Sequence, residues 1–122
     1  MGERALGPFA DGWDEAKVEA VLARGAADEL LYVPIVVSLD PPDCAWSFAI
    51  CKRLAYHGDA RVRANAILGF GHLARTCGAL ERGIGPLIEA ALADPEWEVR
   101  AKANDAAHDI NHFLGWSLRT LD

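Results

Sequence analysis

The segment His108-Asp-Ile-Asn-His112 places two imidazoles four residues apart, with the Asp109 carboxylate between them. On a helix that spacing sets both rings on one face, where they could share a zinc ion while a carboxylate beside them acts as general base. His108 and His112 are therefore the candidate metal ligands, and a metal-dependent hydrolase is the alternative function they define. Aspartate is one methylene shorter than the glutamate this chemistry ordinarily uses, and no third ligand follows at a matching spacing. The better expectation is no metal and no cofactor, with His108 and His112 as exposed polar or interface residues.

Other catalytic arrangements are thinner. Gly69-Phe-Gly71-His72 falls inside an expected helix, where glycines cannot form a phosphate-cradling loop. His72 and Cys77 lie five apart on that helix and point away from each other. Three serines occur without a nucleophile-elbow motif. Cys44, Cys51 and Cys77 make an odd set with no Cys-x-x-Cys pair. Cys44 and Cys51 are separated by a helical rise of about 10 Å, too far for a disulfide. Free thiols, core or half-buried, in a reducing cytosol are expected. No enzyme is expected.

The elements that would position these residues are helical. The 122-residue chain holds 22 alanines, five serines and threonines together, and no glutamine. That balance favours helices and leaves an all-β fold without support. Hydrophobic residues at 52% provide for one packed domain, residues 1–122. Asp43 and Asp59 are expected to cap helices at 44–56 and 60–77. Asp94-Pro95-Glu96 supplies an N-cap and a first-turn proline for a helix that runs to Gly115. A shorter helix covers 86–93, and 13–24 is amphipathic up to Gly25. Residues 28–39 contain Val-Pro-Ile-Val-Val, a strand-like run with no partner strand, and are read as a kinked helix. Residues 1–12, with glycines and a proline, are expected to be a loose arm. Gly69 and Gly71 inside a helix predict close approach of a neighbouring helix.

Residues 59–74 align with 96–111 at a constant offset of 37: Val62 with Val99, Arg63 with Arg100, Ala66 with Ala103, Leu73 with Ile110. With the helix before each, the best units are 44–76 and 80–114. Here the chain resembles the HEAT-repeat family, whose second helix commonly begins Asp-x-x-Val-Arg-x-x-Ala. The resemblance implies an all-α, short right-handed α-solenoid of about three helix pairs with a continuous core. It also implies scaffold roles for Arg63, Arg100, Asp59 and Asp94, the arginine bonding an aspartate of a neighbouring turn. The face opposite the buried stripe of the second helices would then hold the partner-binding residues: Trp97, Asn104, Asp105, His108, Asp109 and His112, with Ile67, Leu68 and Arg75 from the preceding repeat. An exposed tryptophan among charges has the composition of an interface hot spot.

Charge follows the same division. The net −6 splits into −6 over residues 1–43, +4 over 44–76 and −4 over 77–122. Acidic ends make general nucleic-acid binding a poor fit, although some HEAT-like proteins achieve it; a basic protein partner fits better. The longest apolar run, residues 30–37, falls far short of the roughly 20 residues a membrane span needs. No signal-peptide pattern is visible, so a soluble, cytoplasmic protein is expected. The chain also looks like small bacterial HEAT-like proteins, some of which are immunity proteins. That implies a non-enzymatic inhibitor with one protein partner, a cognate toxin domain and possibly a nuclease, neutralised by covering its active site.

Overall fold

The computed structural model describes residues 2–121, with side chains from residue 6 onward. All regular structure among the described residues is helical. In chain order the α-helices are α1 (Glu15–Arg24), α2 (Ala27–Leu30), α3 (Val33–Leu39), α4 (Cys44–Leu54), α5 (Ala60–Cys77), α6 (Gly85–Ala91) and α7 (Trp97–Leu114). A 3-10 segment precedes α1 at Gly2–Phe9, and another, Arg82–Ile84, leads into α6.

Helix boundaries follow side-chain chemistry. Asp14, Asp43 and Asp59 accept from the backbone N–H groups of Lys17, Trp46 and Arg61 at 2.8, 2.9 and 2.8 Å, satisfying donors that the first turn leaves free. Gly115 ends α7 at φ 68°, a left-handed conformation that costs glycine nothing. Helix α7 starts two residues later than its sequence signals suggested. Asp94 accepts from Glu96 N–H at 2.9 Å, and the residue at the cap position is Glu96. Residues 28–39 are helical but broken at Leu31-Tyr32, just before the strand-like run, which falls within α3. Pro34 sits in the first turn of α3, where its missing N–H costs nothing, and Val33, Val36 and Val37 are buried. Burial of that stripe outweighs the weak helix propensity of valine.

Helix α5 is the centre of the molecule. It packs on α3 along one flank, on α4 behind, and most extensively on α7 along the other flank. Gly71 permits the last approach, since a Cβ there would lie 3.1 Å from Ala106 Cα. Phe70, Leu73, Ile88, Val99 and Ile110 fill the space between helices and are essentially inaccessible.

Two expectations are corrected. The stretch 1–12, expected as a loose arm, is tied down within its described residues, because Phe9 is fully buried in the main core. The cysteines are not all free thiols: Cys44 and Cys77, 33 positions apart, form a disulfide joining the first residue of α4 to the last of α5. Their Cα atoms stand 6.1 Å apart, a separation that the linear spacing of three cysteines does not disclose. Cys51 alone is free, and burial pushes its thiol up to about 12.

Candidate partner-binding face

Helix α7 divides lengthwise into three stripes. Val99, Ala103, Ala106 and Ile110 enter the core. Trp97, Ala101, Asp105 and His112 form a second, solvent-facing stripe at helical spacing. Asn104 and Asn111 lie on a third, half-buried stripe that meets the chain's final residues. Trp97 is 71% exposed and, among the described residues, has no ring or hydrogen-bond partner. His108 is exposed, Asp109 half-buried, and His112 stands edge-on to Phe113 with ring centroids 4.7 Å apart.

Helix α5 contributes less than expected. Ile67 is 1% exposed and belongs to the core, as do Ala64 and Gly71. The α5–α7 contact covers Gly71, leaving a narrow exposed stripe on α5. Leu68 is half-buried and Arg75 exposed on that stripe. Arg61 adds to it, held by Asp59 and Asp28 at 2.9 Å each. The solvent-facing sides of α5 and α7 thus differ in charge: Arg61 and Arg75 on the first, and on the second a mixed set in which Glu98, Asp105 and Asp109 stand with half-buried Arg100 and Lys102.

Arg63 and Arg100 occupy equivalent places. Arg63 Nη1 donates to the carbonyls of His57 and Gly58, and Arg100 Nη1 donates to those of Asp94 and Pro95, each acceptor shifted by the same 37 positions. Arg63 also grips both carboxylate oxygens of Asp94 at 3.0 and 3.1 Å. Asp59 caps α5 and, through hydrogen bonds from Arg61, is held down at about 2.

No three His, Cys, Asp or Glu side chains converge on a metal-sized point among the described residues. A serine–histidine contact that sequence reasoning missed does occur, with Ser38 Oγ 2.9 Å from His72 Nδ1. Ser38 is wholly buried, so no substrate could reach it, and the pair ties α3 to α5. Burial, then the charge of Arg75, lowers the pKa of His72. Sequence reasoning also missed a half-open apolar cavity of about 530 Å³ beside the disulfide, walled by Phe48, Leu73 and Leu80. The 34 positions between Ser38 and His72 carry no spacing signal, and neither do the cavity walls.

Compared with protein-family models, curated proteins and solved structures, the chain matches none. No helix of the described residues is long and apolar enough to cross a membrane.

Proposed function

We propose that this protein is a non-enzymatic binding module, a short solenoid of three helix pairs that captures one protein partner on the exposed faces of its second helices. The stacking order α3–α5–α7 and the matched hydrogen bonds of Arg63 and Arg100 support the repeat architecture. The function rests on one observation, the exposure of Trp97 at the head of the Asp105 stripe. A large exposed aromatic gains most when a partner desolvates it. Acidic groups around it would speed encounter with a basic surface, and packing of the indole would slow release.

The likeness to small bacterial HEAT-like immunity proteins suggests the form of action, inhibition of a toxin by covering its active site. A basic nuclease groove would suit the charge of α7. A standard-sized interface of about 800 Å² per partner would suffice. The cytoplasmic assignment loses the premise it took from reduced thiols, since the Cys44–Cys77 bond fits an oxidising compartment.

The test is capture on the tagged protein from lysate of the native host, with identification by mass spectrometry. A single stoichiometric partner is expected. Trp97→Ala and Asp105→Lys should each weaken the complex at least about tenfold with helical content unchanged. Full retention by both variants would remove this face from the account.

A further inference from the structure

Residues 116–121 do not trail away from α7 but run back along it. Asn111 makes a two-way amide contact with Leu118: its Nδ2 donates to Leu118 O at 3.0 Å, and its Oδ1 accepts from Leu118 N–H at 2.8 Å. Two helical turns earlier, Asn104 Oδ1 accepts from Leu121 N–H at 2.9 Å. Between them, Glu89 of α6 accepts from Arg119 N–H at 2.8 Å, and its carbonyl accepts from the Arg119 guanidinium at 3.2 Å.

The spacing has a geometric basis. Seven residues of α-helix rise about 10 Å. Three residues of extended chain span about the same length. Asparagines seven apart on α7 can therefore read every third backbone unit of an antiparallel extended strand. These contacts engage main-chain groups, which any peptide carries. Side-chain fit is added at three points. Arg82 lies over the Trp116 ring at 4.6 Å from its centroid. Leu118 fits against Gly85, where a Cβ would come within 3.3 Å of its Cδ2. The main-chain carbonyl of Glu89 accepts from the basic side chain that follows.

We propose that the α6–α7 surface is a peptide-reading groove, held shut by the chain's own residues 116–121, and that it takes an extended partner segment of the same chemistry: an aromatic residue, a leucine two positions on, then a basic residue. The main-chain bonds that Asn111, Asn104 and Glu89 already make to a peptide segment, and continuity with the Trp97 stripe on the adjoining side of α7, favour a protein segment as occupant. The groove extends the binding-module reading to a second surface and does not use Trp97 or Asp105, so either assignment can fail alone.

The probe is a fluorescein-labelled peptide with the sequence of residues 115–122, followed by fluorescence anisotropy against the full-length chain. In the unaltered protein the tethered tail competes at an effective concentration in the mM range, so micromolar peptide should bind weakly. Trp116→Ser with Leu118→Asp loosens the tail and should tighten peptide binding at least about tenfold. Adding Asn111→Leu in that background should abolish the gain. Circular dichroism reports the fold, and if the double variant does not fold, Leu118→Ala alone should give the same order of affinities on a smaller scale. Equal weak binding by the unaltered and loosened chains, or binding indifferent to Asn111, would overturn the groove. A dimer by light scattering that becomes monomeric in Asn111→Leu would assign the occupant to a second copy and overturn the separate partner.

Discussion

Arg63 and Asp94, 31 positions apart, face each other in a two-pronged ion pair, with Nη2–Oδ1 at 3.0 Å and Nε–Oδ2 at 3.1 Å. The pair ties the first turns of α5 to the loop before α7. Only 19% and 14% of the two side chains are exposed, so water competes poorly for either group. Removing one partner leaves the other half-buried charge without its counter-ion. Arg63→Met or Asp94→Leu should each cost about 2–4 kcal/mol in urea unfolding. The double variant should cost clearly less than the sum, because one interaction is being counted twice. Additive losses would show that the two residues act through separate contacts.

Acid stability should fall in two stages of different origin. Burial, then Arg75, holds the His72 pKa below its ordinary value. Lys102 adds to this lowering and Asp109 opposes it. The unfolded chain therefore binds a proton first, and stability drops as pH falls below about 6.5. Asp59 is held at about 2, chiefly by hydrogen bonds from Arg61. Burial works against the charged form of Asp94, yet hydrogen bonds from Arg63 and the Glu96 amide outweigh it and keep its pKa low. Both carboxylates contribute stability fully above the unfolded value of about 4, and it is lost as pH drops through their folded values. His72→Gln should flatten the first slope of a stability-against-pH curve and Asp59→Asn the second. A curve unchanged by both variants would place the acid sensitivity elsewhere.

The disulfide makes a separate prediction. Closing a 33-residue separation restricts the unfolded chain, which the loop-entropy relation values at about 3–4 kcal/mol. Cys44→Ser with Cys77→Ser, or a reductant, should lower stability by that order and leave the helical spectrum intact. Thiol titration gives an independent count. Native protein should show no reactive thiol, because Cys51 is buried with its pKa raised to about 12. Denaturation without reductant should release one thiol, and three would mean that the cross-link had not formed.

What the sequence made legible was local. Asp43 and Asp59 marked helix starts, Gly25 and Gly115 marked stops, and the 37-residue offset placed Arg63 and Arg100 in equivalent positions. Each is a short-range effect with a residue-type signature. Ile67 was misplaced because the offset compares helices in isolation, whereas α5 has neighbours on both flanks and α7 on one. The same angular position is therefore buried on α5 and half-open on α7. The Cys44–Cys77 bond and the Ser38–His72 contact depend on how α3, α4 and α5 come together. The returning tail left no cue at all, since its partners are two asparagines and a glutamate of ordinary helix-surface type. The exposure of Trp97 was legible because the helical register alone places it off the buried stripe of α7.

Gly69 and Cys51 offer the sharpest test of the packing. A Cβ built on Gly69 would lie 2.7 Å from Cys51 Sγ, well inside contact distance, while its other neighbours, Pro34 O and Ser38 Cβ, stand at 3.6 Å. Gly69→Ala gains helix propensity of about 1 kcal/mol, since alanine loses less backbone freedom. The thiol overlap should exceed that gain, because the sulfur is fully buried among packed neighbours and overpacking costs about 1–3 kcal/mol. Gly69→Ala alone should therefore destabilise. Cys51→Ala removes the sulfur and leaves a small cavity that the new methyl partly fills. In that background the same Gly69→Ala change should stabilise, so the sign of its effect reverses with one atom. Loss of stability in both backgrounds would mean that the α3 backbone at Pro34, rather than the thiol, sets the limit on α5.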